Sequence, residues 1–289
     1  MIILDLIKQY VLSSNYKGLR LRTKVDYQRF MRQAHLTIHP MSTVMLGDMD
    51  VTMSGHEAKR HYEVWLDRGV PTANHITSVM RLLFNYGIEM GYCDGNPFKA
   101  FKRQTSTPRK VVWHRSDVKK FLDVAYSEYK WRSLAIIAHT AYEWCQRVGD
   151  MRMLTWDSLN FHEGILNLEQ SKRRAEVHLP IEGDLLDMLV QQRDDFGFQD
   201  YVAPVPTSDG QCYRPYSDWY LSKMSRVVMR VAGLSDNLRL SDLRRTGTIE
   251  MVEAGVPMGQ IMAVTGHANP QSVKPYMKAT YTAANAALT

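Results

Sequence analysis

Apolar residues in the first hundred positions recur every three or four residues, the spacing of a single helix face. Ile2, Ile3, Leu6, Ile7, Tyr10 and Val11 form such a stripe over residues 2–13. A second helix is predicted over 22–34, behind the basic segment Lys17-Gly-Leu-Arg20-Leu-Arg22-Thr-Lys24. A third, over 72–90, is lined by Ile76, Val79, Met80, Leu83, Gly87 and Met90, with Pro71-Thr72 and Gly91 as its boundary signals. Cys93-Asp-Gly95-Asn96-Pro97 then reads as a turn. Residues 102–110 are polar, basic and aperiodic. The stretch 104–110 is therefore expected to link a helical domain, 1–103, to a second domain, 111–289.

Past that linker, Ser116 is expected to cap a helix over 117–127. Residues 131–154 keep a helical spacing, with a break near Gly149. The period then changes to two. Phe161-His-Glu-Gly164 reads as a turn, Ile165-Leu-Asn-Leu-Glu169 alternates, and Val177-His-Leu-Pro180 follows a charged tip. That pattern predicts a small β-hairpin or sheet with Ser171-Lys-Arg-Arg174 at or near its turn. Helical patterns resume from 184 to the end, with turns at 204–215, 233–237, 254–257 and 266–270. The expected fold class is mainly α, with one short β element embedded in the second domain.

Charge narrows the choice of partner. The 289 residues hold 36 Lys and Arg against 30 Asp and Glu, a formal +6. Residues 1–104 alone hold 14 against 9, so most of the surplus lies in the first third. Such an excess fits phosphate contact or simply a solvated basic surface. Cys93, Cys145 and Cys212 show no paired spacing, which argues against a disulfide framework and a zinc site and fits a reducing cytosol. The opening Met1-Ile-Ile-Leu-Asp5-Leu-Ile-Lys8 mixes charges into its apolar pattern and reads as an amphipathic helix, not a signal peptide. No apolar stretch reaches the roughly 18–20 residues of a membrane helix.

Four separated segments offer groups suited to phosphate chemistry: Gln146-Arg147-Val-Gly-Asp150 with Leu154-Thr-Trp156-Asp157, Lys172 in the hairpin, Ser241-Asp242-Leu243-Arg244-Arg245, and Gly266-His267 with Tyr276 nine residues on. Taken singly, each has a plain structural explanation. Arg147 can pair with Asp150, Arg244 can be a solvated arginine near a helix start, and Lys172 can be part of a charged tip. Gly266-His267 can close a helix, and Tyr276 is one of fifteen tyrosines.

In this order and at these distances the segments resemble the boxes of the tyrosine recombinase (phage integrase) family. Gln146 to Asp157 is similar to its first arginine box, Ser171-Lys172 to its hairpin lysine, Asp242 to Thr246 to its second arginine box, and Gly266 to Tyr276 to its last box. Leu21-Arg22-Thr23 and Thr72-Ala73-Asn74, running on to Asn96-Pro97, are weakly similar to the family's core-binding domain. The resemblance implies a two-domain clamp: a SAM-like helical core-binding domain and an α+β catalytic domain.

It also implies roles. Arg147 and Arg244 would clamp the nonbridging oxygens of one DNA phosphate, because a guanidinium stays charged and bonds two oxygens at once. His267 would donate a further hydrogen bond, and Tyr276 would be the nucleophile, helped to ionise by nearby cations since a phenol has a pKa of about 10. Lys172 would protonate the departing 5′-oxygen. The product would be a 3′-phosphotyrosyl link, resealed without ATP, metal or other cofactor. Lys17, Arg20, Arg22, Lys24, Arg173, Arg174 and Arg245 are the expected DNA contacts. The partner would be double-stranded DNA carrying a specific site, bound by a tetramer that is a monomer when free, with the tail after Tyr276 docked on a neighbouring protomer.

The sequence departs from the family at three places. Ser241 stands where a histidine is usual; it is expected chiefly to cap the following helix, and the base for Tyr276 stays open. Pro275 precedes the nucleophile, which puts Tyr276 at a first helical turn or a kink, with Tyr281 as its rival. Cys145 occupies a position where glycine is commoner and is expected to be a packing residue. A catalytically silent DNA-binding protein and a type IB topoisomerase are the alternative functions.

Overall fold

The computed structural model describes residues 1–172 and 174–277. The chain folds into two compact units, Met1–Arg109 and Lys110–Thr289.

The first unit is helical: α1 (Ile3–Leu12), α2 (Ser14–Lys17), α3 (Leu21–His35), α4 (Gly55–Leu66) and α5 (Val70–Glu89). The apolar stripe of α5 is its axis, with Ile76, Val79, Met80, Leu83 and Phe84 buried against α1, α3 and α4. Met90, expected on that stripe, caps the helix end and is exposed. Helix α4 is not predicted by the sequence pattern. Its start is a capping box in which Ser54 Oγ accepts from Glu57 N (3.2 Å) and Glu57 Oε2 accepts from Ser54 N (2.7 Å). Its buried face is Ala58, His61, Tyr62 and Trp65, a stripe half made of polar or amphipathic side chains. Residues 104–110 contain no helix or strand, yet the segment starts anchored: Gln104 N donates to Tyr62 Oη at 2.8 Å and Arg103 Nη1 to Ser78 Oγ at 2.6 Å.

The second unit is built around α7 (Arg132–Glu143), in which Leu134 to Ala138 are buried in succession. A helix apolar all round belongs at the centre of a domain. Helix α6 (Arg115–Tyr126) packs against it, as do α9 (Gly183–Phe196), α10 (Asp218–Val231) and α11 (Leu243–Glu253). The cap of α6 is His114, whose Nδ1 accepts from Ser116 N; Ser116 lies inside the helix, so the expected serine cap is corrected. The short helix α8 (Val148–Met151) follows α7 after a break at Cys145, whose φ is +50°. The break therefore precedes Gly149, where it was expected, and Gly149 is helical.

Strands β1 (Leu159–Asn160), β2 (Ile165–Glu169) and β3 (Glu176–Pro180) form an antiparallel sheet in the order β1-β2-β3. The register pairs Leu166 with Leu179 and Glu169 with Glu176, so that Gln170, Ser171 and Lys172 lead out of β2 and Arg174 and Ala175 lead into β3. Strand β3 packs against α12 (Met258–Thr265). A second ribbon, β4 (Pro204–Pro206) with β5 (Tyr213–Pro215), occupies a stretch expected to be only a turn. The second unit thus has two β elements among its described residues, not one. Prolines at the ends of these strands had masked the ribbon, since proline breaks the sequence signature of a strand but fits an edge.

Candidate active site

The turn at Cys145 sets the first part of the site. Ending α7 with a left-handed residue sends Gln146 inward and places Arg147 at the cap of α8. A glycine takes that conformation without strain, which accounts for its being commoner there in the resembling family. The Cys145 thiol is buried, and burial pushes its pKa up to about 12.

Arg244 is the second residue of α11 and is buried, not solvated. Its Nη2 donates to the Thr265 carbonyl at 2.6 Å and lies 3.4 Å from His267 Nε2. Its buried Nη1 has no hydrogen-bond partner among the described residues. Burial lowers the Arg244 pKa to about 10, with repulsion from Arg147 acting the same way and Tyr276, Cys145 and Asp150 opposing it. The guanidinium is still charged at neutral pH.

His267 follows Gly266, which closes α12 with φ +65°. Thr265 Oγ1 spends its proton on Ile261 O (2.6 Å), so at 2.7 Å it accepts from His267 Nδ1. This fixes the proton of a neutral His267 on Nδ1 and leaves the Nε2 lone pair facing Arg244. Tyr276 lies in a turn, its N donating to Val273 O at 2.8 Å. Its ring centroid is 6.1 Å from that of His267, and the Arg245 guanidinium sits 5.3 Å from its centre.

Arg147 joins the group through a glutamine. Its Nη1 donates to Gln170 Oε1 at 2.7 Å and lies 3.6 Å from Asp150 Oδ2. The ion pair with Asp150 and membership of the cluster are therefore both realised. Asp150 Oδ1 accepts from Ser171 N at 3.2 Å and from Ser171 Oγ, tying the start of the hairpin turn to α8.

The structure thus brings together Arg147, Arg244, Arg245, His267 and Tyr276. Lys172 is exposed on the turn, just beyond the buried Gln170. Arg174, also exposed, pairs with Glu169 at 2.8 Å and has φ +56°. Arg173 and Tyr281 lie outside the described residues, as does the tail beyond Met277.

Ser241 does not cap α11: Asp242 is the cap residue, and its carboxylate accepts from Arg239 N at 3.1 Å. Ser241 instead lines a neighbouring recess with Val148, Gly149, Arg152, Arg226 and Arg239. In the first unit, Lys17, Arg20 and Arg22 are exposed and Lys24 is half-buried. Lys24 Nζ donates to Lys17 O at 2.7 Å, and Arg22 lies 3.6 Å from Asp26. Sequence reasoning assigned no role to Gln170 or Thr265. A signal for Gln170 existed, because alternation puts it on the same strand face as the buried Leu166. A polar residue on a buried face must find polar partners.

No described helix is long and apolar enough to cross a membrane, and the described residues contain no group of three or more His, Cys, Asp or Glu placed to hold a metal ion. Among solved structures, a Tn1549 transposon integrase fragment in complex with circular intermediate DNA is similar with TM-score 0.78 at 15% identity, over 100% of this chain and 99% of that one. A lambda integrase dimer bound to a COC′ core site is similar with TM-score 0.75 at 18% identity, over 96% and 77%. A lambda integrase tetramer bound to a Holliday junction gives TM-score 0.75 at 18% identity, over 96% and 78%. At these identities the likeness is one of fold. No curated protein sequence matches. The model of the phage integrase family matches residues 113–283, more than half of the sequence, and that range includes Arg147, Lys172, Arg244, His267 and Tyr276. The chain belongs to the phage integrase family, the tyrosine site-specific recombinases.

Proposed function

We propose that this protein cuts and rejoins DNA at a specific site, with Tyr276 as nucleophile. The observation that carries the reading is the convergence, from segments about a hundred residues apart, of two arginines and a histidine beside one tyrosine. Arg244 Nη2 lies 3.4 Å from His267 Nε2 and interacts electrostatically with both Arg147 and Tyr276. A buried guanidinium nitrogen with no acceptor among the described residues, Arg244 Nη1, suits a phosphate oxygen, because leaving such a donor unpaired is costly.

In the proposed step, the Tyr276 oxygen attacks phosphorus and the bond to the 5′-oxygen breaks. The phenol proton leaves to solvent, and Lys172 gives a proton to the departing 5′-oxygen. Arg147 and Arg244 hold the nonbridging oxygens, whose charge grows at the transition state, and His267, with Nε2 3.4 Å from Arg244 Nη2, stands beside them. The phosphotyrosyl ester keeps the energy of the broken bond, so a 5′-hydroxyl from another strand can displace the tyrosine without ATP. The first unit would hold the duplex through Lys17, Arg20, Arg22 and Lys24, and the second would carry out the chemistry with support from Arg173, Arg174 and Arg245. The solved relatives include a dimer and a tetramer on DNA, which supports a tetramer as the working assembly, formed from monomers on DNA in the cytoplasm of a bacterial host.

A nicked substrate that loses its short 5′ fragment on cleavage tests this. The unmodified protein should accumulate a denaturant-resistant protein–DNA complex, and Tyr276→Phe should accumulate none. Binding without any covalent complex would leave only a silent DNA-binding protein.

A further inference from the structure

We propose that Gln170 is a positioning residue for strand cleavage, setting Arg147 and the Thr265–His267 turn in place before DNA binds. The proposal rests on the reading of Arg147 and Arg244 as the phosphate clamp. Gln170 is fully buried, and both ends of its amide are used. Its Oε1 accepts from Arg147 Nη1 at 2.7 Å, while its Nε2 donates to Gln146 Oε1 at 2.7 Å and to the Thr265 carbonyl at 2.9 Å. The amide orientation follows from chemistry, since a guanidinium only donates and a carbonyl only accepts. Gln146 is held in turn, its Nε2 donating to Trp144 O at 2.8 Å and Val264 O at 2.7 Å.

The Thr265 carbonyl also accepts from Arg244 Nη2 at 2.6 Å. The two arginines are thus keyed to one backbone oxygen, Arg244 directly and Arg147 through the Gln170 amide. Two cations that repel one another need such a frame to stay together without their anion. Gln170 also begins the turn that carries Lys172, so it joins three of the four sequence boxes. Gly266 leaves room for this contact: a Cβ there would lie 2.5 Å from Gln170 Nε2. A glutamine kept only to satisfy buried polar atoms would serve stability alone, and the two roles separate by experiment.

The test compares single-turnover formation of the covalent complex on a nicked duplex with an ordinary scissile phosphate and on one with a methylphosphonate there. The methyl group removes the nonbridging charge that the clamp must stabilise. Gln170→Met should bind DNA as tightly as the unmodified protein and cleave the phosphate about 100-fold more slowly, the order expected for a misplaced clamp. On the methylphosphonate its deficit should shrink to within about threefold, because less charge needs holding. Gln170→Asn keeps a buried amide one methylene shorter and covers the case in which the methionine variant does not fold; the same substrate-dependent deficit is expected. Cleavage at the unmodified rate, or equal slowing on both substrates, would overturn the proposal. Failure of the unmodified protein to form a complex on either substrate would overturn the recombinase reading itself, and this inference with it.

Discussion

Gly266→Ala tests how tightly the site is built. Two costs follow from its geometry. The residue has φ +65°, and an alanine in the left-handed region costs about 1–2 kcal/mol. The new Cβ would also lie 2.5 Å from Gln170 Nε2 and 2.8 Å from its Cδ, so the amide must move. Moving it loses two donated hydrogen bonds at about 0.5–1.5 kcal/mol each. Together these amount to about 3 kcal/mol. Gly255 supplies the control, because its φ is +74° but nothing lies within 4 Å of its would-be Cβ. Gly255→Ala should cost only the backbone term, about 1 kcal/mol. Urea unfolding of the second unit, followed by near-ultraviolet circular dichroism of its tryptophans, reads the difference. With an m value of about 2 kcal/mol/M, a gap of about 2 kcal/mol moves the midpoint by about 1 M. Equal losses in the two variants would refute the claim that Gln170 is wedged against Gly266.

Two further outcomes follow from the same structure. Ser54→Ala removes the capping-box oxygen of α4 and should destabilise the first unit by about 1 kcal/mol without changing the thermal transition of the second, as calorimetry resolves the two. Cys212 is exposed while Cys93 and Cys145 are buried with raised thiol pKa values, so a disulfide-exchange reagent at pH 8 should titrate one thiol in the native protein and three in denaturant; rapid reaction of Cys145 would contradict its packing role.

The parts of this protein legible in its sequence are those with a local cause. The stripe of α5 follows from the 3.6-residue period. The β2–β3 hairpin is marked by strict alternation and a charged turn, and Arg147, Arg244, His267 and Tyr276 by the order of their boxes. What the sequence hid was set by tertiary context or by weak patterning. Helix α4 carries histidine and tyrosine on its buried face, which blunts its hydrophobic period although Ser54 and Glu57 announce its start. The break after α7 falls at Cys145, a residue that does not advertise a left-handed conformation, so the visible Gly149 drew the prediction four residues too far. Ser241 has a cap residue's chemistry, but the chain enters α11 through a 3₁₀ turn that hands the cap position to Asp242. Gln170 owes its importance to partners 23, 24 and 95 residues away, which no local pattern encodes.

The claim on which the mechanism depends is the identity of the tyrosine that receives DNA. Trypsin cuts after Lys278 and so parts Tyr276 from Tyr281. Mass spectrometry of the trapped complex, digested with trypsin and nuclease, should find the phosphonucleotide on the peptide ending Lys274-Pro-Tyr276-Met-Lys278. An adduct on the C-terminal peptide holding Tyr281, or on any other residue, would contradict the account.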